Sequence, residues 1–388
     1  MAFASTTIKA KKTDLLAEIV PSLMPVDNMQ WRTLFQNHPD PPELIKLVDD
    51  SGMEGFEFYS IVIRKDQQPI LIAPLMVARY PVATTLDGKA KEIGIWIETK
   101  IPNLLSPKVL LIGFVEGEWG QIGVTPNLNE NLLNEAWLML ARSLEILRRK
   151  TGAEGMMFWQ FTEEALAKIP NNLFDGFGFI ASQPFSVLSI EFNSIEDYLS
   201  TLDSDMKRYL KRAWKNASRV RVVRTKNVEK YSDEIYEMYK EQVASSELSF
   251  GQQSRDYFRN VCKVVPAAEY TLYFDGENLL GWELLLKEPQ HLSSKYFAMK
   301  KDAGREYKLY FLSWIENVHY CIKNGIKHFH VGASGEDLKT LLGAKLIPTA
   351  VVMKHSNPII QAVLRSIEDD LAYESKIELP RIKLGWRN

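Results

Sequence analysis

The sequence predicts an α+β protein made of two similar halves, each a β-sheet flanked by helices. Three observations predict this class. The 388 residues suffice for two or three domains. The apolar fraction of 46% and the charged fraction of 25% are those of globular proteins. Each half also repeats one order of elements, which is a strand hairpin, further strands, one long amphipathic helix and a short buried strand.

The composition excludes several classes of protein. A net charge of −2 and a pI of about 6.4 give no strong overall field for nucleic acid or membrane. Two cysteines without a CxxC pair argue against a disulfide scaffold and a cysteine-based zinc site. The amino terminus lacks a signal-like apolar run, and the most apolar stretch, residues 101–115, contains two prolines and Lys108. We therefore expect a cytoplasmic protein without a membrane span.

The first half begins with a predicted hairpin and ends with a helix and a strand. Two β-rich runs flank a polar turn, RKDQQ. Apolar residues then recur at three- and four-residue steps over residues 129–150, which predicts a helix ended by Gly152. The predicted elements are strands at residues 56–63, 69–77, 109–114, 120–124 and 156–161, around this helix.

The second half follows a loop-like stretch, GFGFIASQP, and a strand at SVLSIEF. Asp275-Gly276 is a hairpin turn, and Asn324-Gly325 is a helix C-cap pair. The predicted helices are residues 194–202, 206–217, 229–246, 255–264, 307–323 and 336–342, and one from Asn357 with Ile360, Val363, Leu364, Ile367 and Leu371 as its stripe. The predicted strands are the hairpin from Glu269, then residues 291–299, 326–331 and 347–354.

The segment 207–226 is strongly basic. It holds nine Lys or Arg and no acidic residue, so the rest of the chain carries −11. Arg208 and Arg212 share one helix side with Lys207, Lys211 and Lys215, which suits a phosphate of coenzyme A, a carrier-protein phosphopantetheine or RNA. The alternative is a solvated helix face paired with the acidic helix over 229–246.

The segment KKDAGREYKLYF lies between a strand and a long helix. Free backbone N–H groups at such a place can bind an anion, so Lys300, Lys301, Gly304 and Arg305 are candidate cofactor-binding residues. The segment is not a Walker A loop, which needs GxxxxGK[ST]. An ordinary strand-to-helix turn is the alternative.

Glu283 lies in the apolar strand LLGWELLL. A buried carboxylate there would have a raised pKa, as a general base needs, unless Glu283 faces solvent. His328 and His330 are two residues apart and point to one side of a strand. No third ligand is obvious nearby, and no HExxH or GxSxG motif occurs, so we expect no metal site.

The second half resembles the GNAT-like acyltransferase superfamily, in particular its FemAB-like and BioF2-like branch. The resemblance rests on GF at Gly178-Phe179, on the helix DMKRYLKRAWKNA, on YTLYFDGENLLGWELLL with SSKYFAMKKD, and on the helix that ends in NGIKHFHVG. The closing GEDLKTLLGAKLIP supplies Lys339 and Gly343. The phosphate loop of GNAT enzymes is Gln/Arg-x-x-Gly-x-Gly/Ala, whereas this chain has Lys301-Asp-Ala-Gly304-Arg-Glu306 and lacks the second small residue.

The resemblance implies two tandem GNAT-like domains with mixed, mainly antiparallel sheets. The first, degenerate domain would span residues 1–185, and the catalytic domain with a C-terminal helix would span residues 186–388. The implied reaction is N-acylation of an amine on a peptide, amino acid or small metabolite, from an acyl-CoA or acyl carrier protein thioester. Glu283 or His330 would deprotonate the amine, and Tyr296 or Tyr310 would protonate the leaving group. The candidate cofactor-binding residues are Lys300, Lys301, Gly304, Arg305, Lys339, Arg208 and Arg212.

Two alternatives stay open. One is FemAB-like transfer of an amino acid from charged tRNA, which the basic helix supports. The other is an inactive GNAT-like shell that binds a ligand or partner, which the departure in the phosphate loop would explain. The acyl group, the acceptor and the oligomeric state are also left open.

Overall fold

The computed structural model describes residues 6–9, 14–36, 38–81, 106–215, 218–244 and 250–366. Within these residues, fourteen strands form one continuous sheet. The strands are β1 (Thr6–Lys9), β2 (Leu15–Val20), β3 (Glu57–Lys65), β4 (Gln68–Arg79), β5 (Lys108–Ile112), β6 (Gly123–Val124), β7 (Gly155–Thr162), β8 (Gly178–Ser189), β9 (Arg221–Thr225), β10 (Ala268–Asp275), β11 (Asn278–Lys287), β12 (His291–Met299), β13 (His328–His330) and β14 (Lys345–His355).

Helices cover both faces of the sheet. They are α1 (Asn28–Leu34), α2 (Pro42–Ser51), α3 (Glu130–Thr151), α4 (Glu163–Ala167), α5 (Ile195–Ser200), α6 (Ser204–Lys215), α7 (Ser232–Ala244), α8 (Arg255–Val264), α9 (Lys301–Glu306), α10 (Leu309–Asn324), α11 (Glu336–Leu341) and α12 (Pro358–Ser366). Short 3₁₀ turns lie at Asn171–Phe174 and Glu229–Tyr231.

The spatial order of the strands is β1-β2-β3-β4-β5-β7-β14-β8-β13-β12-β11-β10-β9, with β6 beside β4. Two neighbouring pairs are parallel, β5 with β7 and β12 with β13. The other paired strands are antiparallel. The sheet is therefore mixed and mainly antiparallel, and the predicted fold class is confirmed.

Local signals explain the two long helices. The side chain of Asn129 accepts a hydrogen bond from the N–H of Asn131 at 2.9 Å and begins α3. Gly152, at φ +69°, ends α3 in the left-handed conformation, and Gly325, at φ +68°, ends α10 in the same way. Each long helix joins two parallel strands, as a crossover between parallel strands requires.

The last strand of each half pairs with the other half. In chain order β8 follows β7, yet β8 lies beside β13. In the same way β14 follows β13, yet β14 lies beside β7. β8 and β14 then pair with each other at the centre of the sheet. The predicted boundary between residues 185 and 186 falls inside β8 and stays a prediction.

Three groups of buried apolar residues hold the layers together. Along β4, Ile72 faces one side of the sheet, whereas Leu71 and Ala73 face α3 on the other side. The face with Ile72 carries one core that runs under both halves and includes α1, α2 and α8. A separate core lies between the second half of the sheet and α10. The apolar core on the Ile72 face of the sheet therefore contains residues of both halves and holds them together.

Several sequence predictions need correction. The stretch GFGFIASQP was expected to be a loop, but Gly178–Ser189 is one strand, because pairing with β14 supplies its hydrogen bonds. The first 55 residues contain two strands and two helices that the sequence analysis did not predict. Of the predicted C-terminal stripe, Ile360 lies in α12, whereas Ile367 and Leu371 lie outside the described residues.

Candidate active site

Strands β12 and β13 separate soon after they begin. They pair at only three positions, the last being Ser293 with His330. β12 continues to Met299, while β13 ends at His330. Against β11, Tyr296 pairs with Leu284 and Ser294 pairs with Leu285, so Lys295 is the extra residue of a β-bulge. The bulge directs the Lys295 side chain into the gap.

A loop from the first half enters this gap. It spans residues 113–120 after β5 and carries Glu116 and Glu118. Gly113 adopts φ +113°, which favours glycine. A Cβ on Gly120 would lie 2.2 Å from the carbonyl oxygen of Trp159, so only glycine allows this close approach. The two glycines let the loop turn tightly against β7.

Lys295 is a buried ammonium among carboxylates. Its Nζ lies 2.9 Å from Asp40 Oδ1, 2.9 Å from the Glu116 carbonyl oxygen and 3.6 Å from Glu118 Oε1. Burial alone would lower the pKa of Lys295, but Asp40, Glu118 and Glu116 raise it above its ordinary value. Lys295 therefore stays charged. We call Asp40, Glu116, Glu118, Lys295 and His330 the junction cluster.

Glu118 and His330 face each other in the junction cluster. Glu118 Oε2 lies 3.8 Å from His330 Nδ1, and neither atom has a hydrogen-bond partner although both are buried. Burial raises the pKa of Glu118, with Asp40 adding to the rise and Lys295 opposing it. Burial lowers the pKa of His330 to about 4, so the ring is neutral at pH 7. A donor that lies to one side of this pair, about 2.8–3.0 Å from each atom, could bond to both.

His330 also contacts another histidine. His291 Nδ1 lies 3.1 Å from His330 Nε2, and the His291 ring stacks on His328 with centroids 5.4 Å apart. Burial lowers the pKa of His291 to about 4, with His330 and His328 adding to the fall. Among the residues that the structure describes, no group of three or more His, Cys, Asp or Glu side chains could hold a metal ion.

Glu116 ties Tyr296 to the junction cluster. The Tyr296 hydroxyl donates to Glu116 Oε2 at 2.6 Å, the Tyr257 hydroxyl donates to Oε1 at 3.0 Å, and Gln253 Nε2 donates to Oε2 at 2.9 Å. Burial raises the pKa of Glu116 despite these bonds and Lys295. The pKa of Tyr296 lies well above its ordinary value, mainly through burial and then through Glu116. Tyr296 is thus held as a neutral phenol.

Glu283 belongs to a separate polar group. Glu283 Oε1 accepts from Ser294 at 2.5 Å, and Oε2 accepts from Asn317 at 2.9 Å and from Tyr273 at 3.3 Å. Burial raises the pKa of Glu283, and these donors oppose the rise. Three donors from β10, β12 and α10 saturate this carboxylate and fix it in place. The residues described show no contact between Glu283 and the junction cluster.

Tyr310 lies with Glu283 rather than with the junction cluster. Its ring packs against Phe297, Phe311 and Trp314 in the second-half core. Burial and the nearby charge of Glu283 raise the pKa of Tyr310. The structure therefore divides the four predicted catalytic residues: His330 and Tyr296 contact glutamates of the loop over residues 113–120, whereas Glu283 and Tyr310 lie apart from that loop.

Comparison with known proteins identifies the family. The profile of the FemAB-like family, described as peptidoglycan biosynthesis/recognition, matches residues 123–369, which is more than half of the chain. The chain belongs to the FemAB-like family. The resemblance seen in the sequence is thereby confirmed. No curated protein matches the sequence.

Solved structures share the fold of this FemAB-like chain. The crystal structure of FemX matches with a TM-score of 0.54 and 14% identity, over 89% of this chain and 99% of FemX. A tandem GNAT protein from the clavulanic acid biosynthesis pathway matches with a TM-score of 0.52 and 13% identity, over 88% of this chain and 99% of that one. These likenesses confirm the tandem GNAT-like fold.

The predicted phosphate loop folds as a short helix in this FemAB-like chain. Lys300 precedes α9, and Lys301, Gly304 and Arg305 lie within it. The N–H groups of Ala303 and Gly304 donate to the Lys300 carbonyl at 3.0 and 3.4 Å. Lys300 Nζ contacts Asn278 Oδ1 and Glu234 Oε1, both at 2.8 Å. Two of the N–H groups expected to bind an anion are thus bonded within the loop.

The other predicted cofactor-binding residues differ in burial. Arg208 and Arg212 are exposed on α6, where Arg208 lies 3.5 Å from Asp205. Lys339 is buried, and its Nζ donates to the carbonyls of Val331 and Gly332 just past β13. Burial lowers the pKa of Lys339 to about 8, while Glu118 opposes the fall.

In the described part of the chain, the acidic helix α7 forms ion pairs with α8 and not with the basic helix α6. Asp233 and Glu237 of α7 contact Arg255 of α8 at 2.5 and 3.2 Å, and Asp233 contacts Arg259 at 2.9 Å. Instead, α6 packs on α10, with the Tyr209 ring 4.5 Å from Phe311 and the Lys308 ammonium 3.8 Å above Tyr209. The exposed basic side chains of α6 therefore lie near the start of α10.

The sequence analysis missed four residues of the junction cluster, namely Asp40, Glu116, Glu118 and Lys295. Glu116 and Glu118 have a sequence signal, since two carboxylates two residues apart stand in the glycine-rich stretch GFVEGEWG. Lys295 sits beside Tyr296, which was predicted. Asp40 has no comparable signal.

A groove of about 800 Å³ lies in the first half between α3, the 3₁₀ turn at Asn171–Phe174 and the end of β14. It is lined by Trp137, Leu138, Phe177 and Lys354 among others, and none of its lining residues belongs to the junction cluster. In the part of the chain that the structure describes, no helix is long and apolar enough to cross a membrane.

Proposed function

We propose that this protein forms an amide by transferring an acyl or aminoacyl group from an activated carrier to an amine, with the junction cluster as its active site. Membership of the FemAB-like family supports acyl or aminoacyl transfer in general. The observation that carries the proposal is the facing pair of Glu118 Oε2 and His330 Nδ1, buried and unpaired at 3.8 Å. A general base must reach the proton that it removes. Both atoms of this pair are free to accept a hydrogen bond from the acceptor amine.

The charges of the junction cluster suit an ammonium group. Lys295 contacts the carboxyl groups of Asp40 and Glu118, and the carboxyl group of Glu116 lies near enough to raise the pKa of this one ammonium group. A second cation beside Glu118 and His330 would improve the balance of charge. The neutral His330 ring or the Glu118 carboxylate then takes a proton from this ammonium group, and the free amine can attack.

The reaction balances without a redox partner. The amine nitrogen bonds to the carbonyl carbon of the donor, and the bond from that carbon to the carrier oxygen or sulfur breaks. Of the three protons of the acceptor ammonium group, the base takes one before the attack, one goes to the leaving oxygen or sulfur, and one stays on the amide nitrogen. The buried Lys339 ammonium, beside the end of β13, would attract the oxyanion of the tetrahedral intermediate.

Charged tRNA is the first donor to test. The exposed basic face of α6 supports a donor with many phosphates, and binding should then weaken steeply with added salt. An acyl-CoA or an acyl carrier protein is the second donor, since the two bonded N–H groups of α9 offer little to a pyrophosphate. The family description favours the amine of a peptidoglycan precursor peptide as acceptor. Donation from tRNA would imply a cytoplasmic reaction.

The test is transfer of radiolabel to precursor peptides from a panel of charged tRNAs and, in parallel, of acyl-CoAs from acetyl to palmitoyl. Glu118→Gln and His330→Gln should each lower kcat/KM by roughly 100-fold or more, the usual contribution of a general base. Glu164→Gln, on the exposed pair with Lys168, is the matched control and should leave kcat/KM unchanged.

Glu283→Gln separates the two candidate bases. We expect it to lower the thermal midpoint, because the amide turns a donor toward Ser294 or Asn317, with only a small change in kcat/KM. Loss of turnover in Glu283→Gln with normal turnover in Glu118→Gln and His330→Gln would place the base at Glu283. Folded protein that consumes no donor on the panel would contradict the transferase proposal.

A further inference from the structure

His291 occupies a defined place behind His330. It is the first residue of β12 and is half-buried, whereas His330 is buried. The two rings meet edge to face, with centroids 5.1 Å apart at an interplanar angle of 69°. Their closest nitrogens, His291 Nδ1 and His330 Nε2, are 3.1 Å apart, which is hydrogen-bond distance.

One hydrogen must lie between these two nitrogens. Both rings have a pKa of about 4, so both are neutral at pH 7 and each carries one ring hydrogen. If His330 carries it on Nε2, then His330 donates to His291 and its Nδ1 is a free lone pair. If His291 donates instead, then His330 Nδ1 carries a hydrogen that points toward Glu118.

The geometry around Glu118 selects the first arrangement. A hydrogen on His330 Nδ1 would draw the Glu118 carboxylate into a hydrogen bond near 2.8 Å. The observed separation is 3.8 Å, and neither atom has a partner. Two acceptors that face each other across a small gap match this observation. The remaining hydrogen of His291 then sits on Nε2, on a ring that is partly open to water.

We propose that His291 is a positioning residue that accepts a hydrogen bond from His330 Nε2 and so keeps the Nδ1 lone pair of His330 directed at Glu118 and the acceptor amine. The catalytic part of this statement rests on the proposed function, while the tautomer does not. The ionisable groups near His330 are His291 on the neighbouring strand β12, His328 on the same strand β13, Glu118 from the loop, Asp40 and His38 from the first half, and Lys295 on the bulge.

Three variants separate positioning from other roles. His291→Asn keeps an acceptor oxygen near the place of Nδ1, and His291→Leu removes it. His328→Asn is the matched control, because His328 stacks on His291 without a hydrogen bond to His330. Nitrogen NMR of ¹⁵N-histidine-labelled full-length protein at pH 7 reports which nitrogen of His330 carries the hydrogen, with no need of substrate.

The expected NMR result is an Nε2–H tautomer for His330 in the wild type, in His291→Asn and in His328→Asn, and a mixture of tautomers in His291→Leu. If transfer activity is found, kcat should fall about 10- to 100-fold in His291→Leu, with KM unchanged, and stay within 3-fold in His291→Asn. An Nδ1–H tautomer in the wild type, or an unchanged tautomer in His291→Leu, would overturn the inference. Equal loss of kcat in His291→Asn and His291→Leu would also overturn it, since His291 would then act by carrying protons.

Discussion

At the scale of single residues, the main feature is a set of charges taken out of water. Lys295 has 6% of its side chain exposed, and Asp40 has none. Such an ion pair contributes little net stability by itself, but removal of one partner leaves the other charge buried and unpaired. The same reasoning separates Glu283, which three donors satisfy, from Glu118, which keeps an unpaired oxygen. A buried carboxylate with all its hydrogen bonds made, such as Glu283, indicates a structural role, whereas one with an unpaired oxygen, such as Glu118, indicates a ligand-binding role.

Lys295→Met should destabilise the protein by about 3–5 kcal/mol at pH 7.5, because three carboxyl groups lose their cation. The loss should shrink as the pH falls. Glu116 and Glu118 have folded pKa values above the ordinary 4.5, so the folded state binds more protons than the unfolded state above that pH. Lys295→Met raises these values further, so its stability should recover from pH 7.5 to pH 5.5. Urea unfolding at both pH values measures this.

Lys300→Met is the control for that experiment. Lys300 is 39% exposed and pairs with Glu234 on the surface, so its loss should cost less than about 1 kcal/mol at either pH. Equal destabilisation in Lys300→Met and Lys295→Met would contradict the structural role given to the junction cluster.

At the scale of elements, the loop over residues 113–120 and the bulge at Lys295 build the site together. The loop brings two carboxylates from the first half, and the bulge directs a lysine from the second half toward them. Neither element is regular, and each is held by backbone geometry. A change in the loop backbone should therefore lower catalytic activity more than it lowers the stability of the core.

Gly120→Ala should displace the loop, since the added Cβ would lie 2.2 Å from the Trp159 oxygen and 2.3 Å from Phe161 Cδ2. We expect destabilisation of about 1–3 kcal/mol and a larger proportional loss of transfer activity. Gly152→Ala is a control, because its Cβ would meet nothing within 4 Å and only its positive φ costs energy, about 1–2 kcal/mol. Thermal melts and initial rates measure both variants, and full activity in Gly120→Ala would contradict the role of the loop.

Elements with strong local signals could be predicted from the sequence. The hairpin of β3 and β4 was predicted from its β-rich runs, and α8 was predicted at Arg255–Val264, the bounds that the structure has. The first half of β8, GFIASQP, was predicted as a loop, because it lacks a local strand signal and pairs with the distant strand β14. The amino-terminal α1 was missed although Asp27 caps it, with Oδ1 2.8 Å from the N–H of Gln30.

The candidate site was harder to predict for a physical reason. Lys295 and Asp40 are 255 positions apart in the sequence, and Tyr296 and Glu116 are 180 positions apart. No periodicity or local motif reports a contact between residues so distant. His330 and Tyr296 were found because each lies on a strand of the recognisable second half. Glu283 was chosen because its strand is apolar, which shows burial but not whether the carboxylate is satisfied.

At the scale of the whole molecule, the exchange of β8 and β14 makes each half depend on the other. Removal of β14 would leave β7 paired only with β5 and β8 paired only with β13, so that each strand has one exposed edge. The shared core under α2 and α8 adds to this dependence. The two halves are similar in topology, but we expect them to unfold as one unit.

A chain that stops after residue 344, which lacks β14, should therefore lose the fold of both halves. We expect the fluorescence of Trp137 in the first half and of Trp282 in the second half to report unfolding of the truncated chain, with aggregation through open strand edges. A chain that stops after residue 357 keeps β14 and is the control. Native-like urea unfolding of the first half in the shorter chain would refute this dependence.

The position of β14 also bears on how the protein is made. Domains generally fold as units during synthesis, the amino-terminal one first. Here β7 pairs with β5 on one side and with β14, residues 345–355, on the other, so the ribosome must add more than 180 residues after β7 before the second pairing can form. The nascent first half must keep an open strand edge throughout that time. The topology therefore makes completion of the central sheet one of the last steps of synthesis.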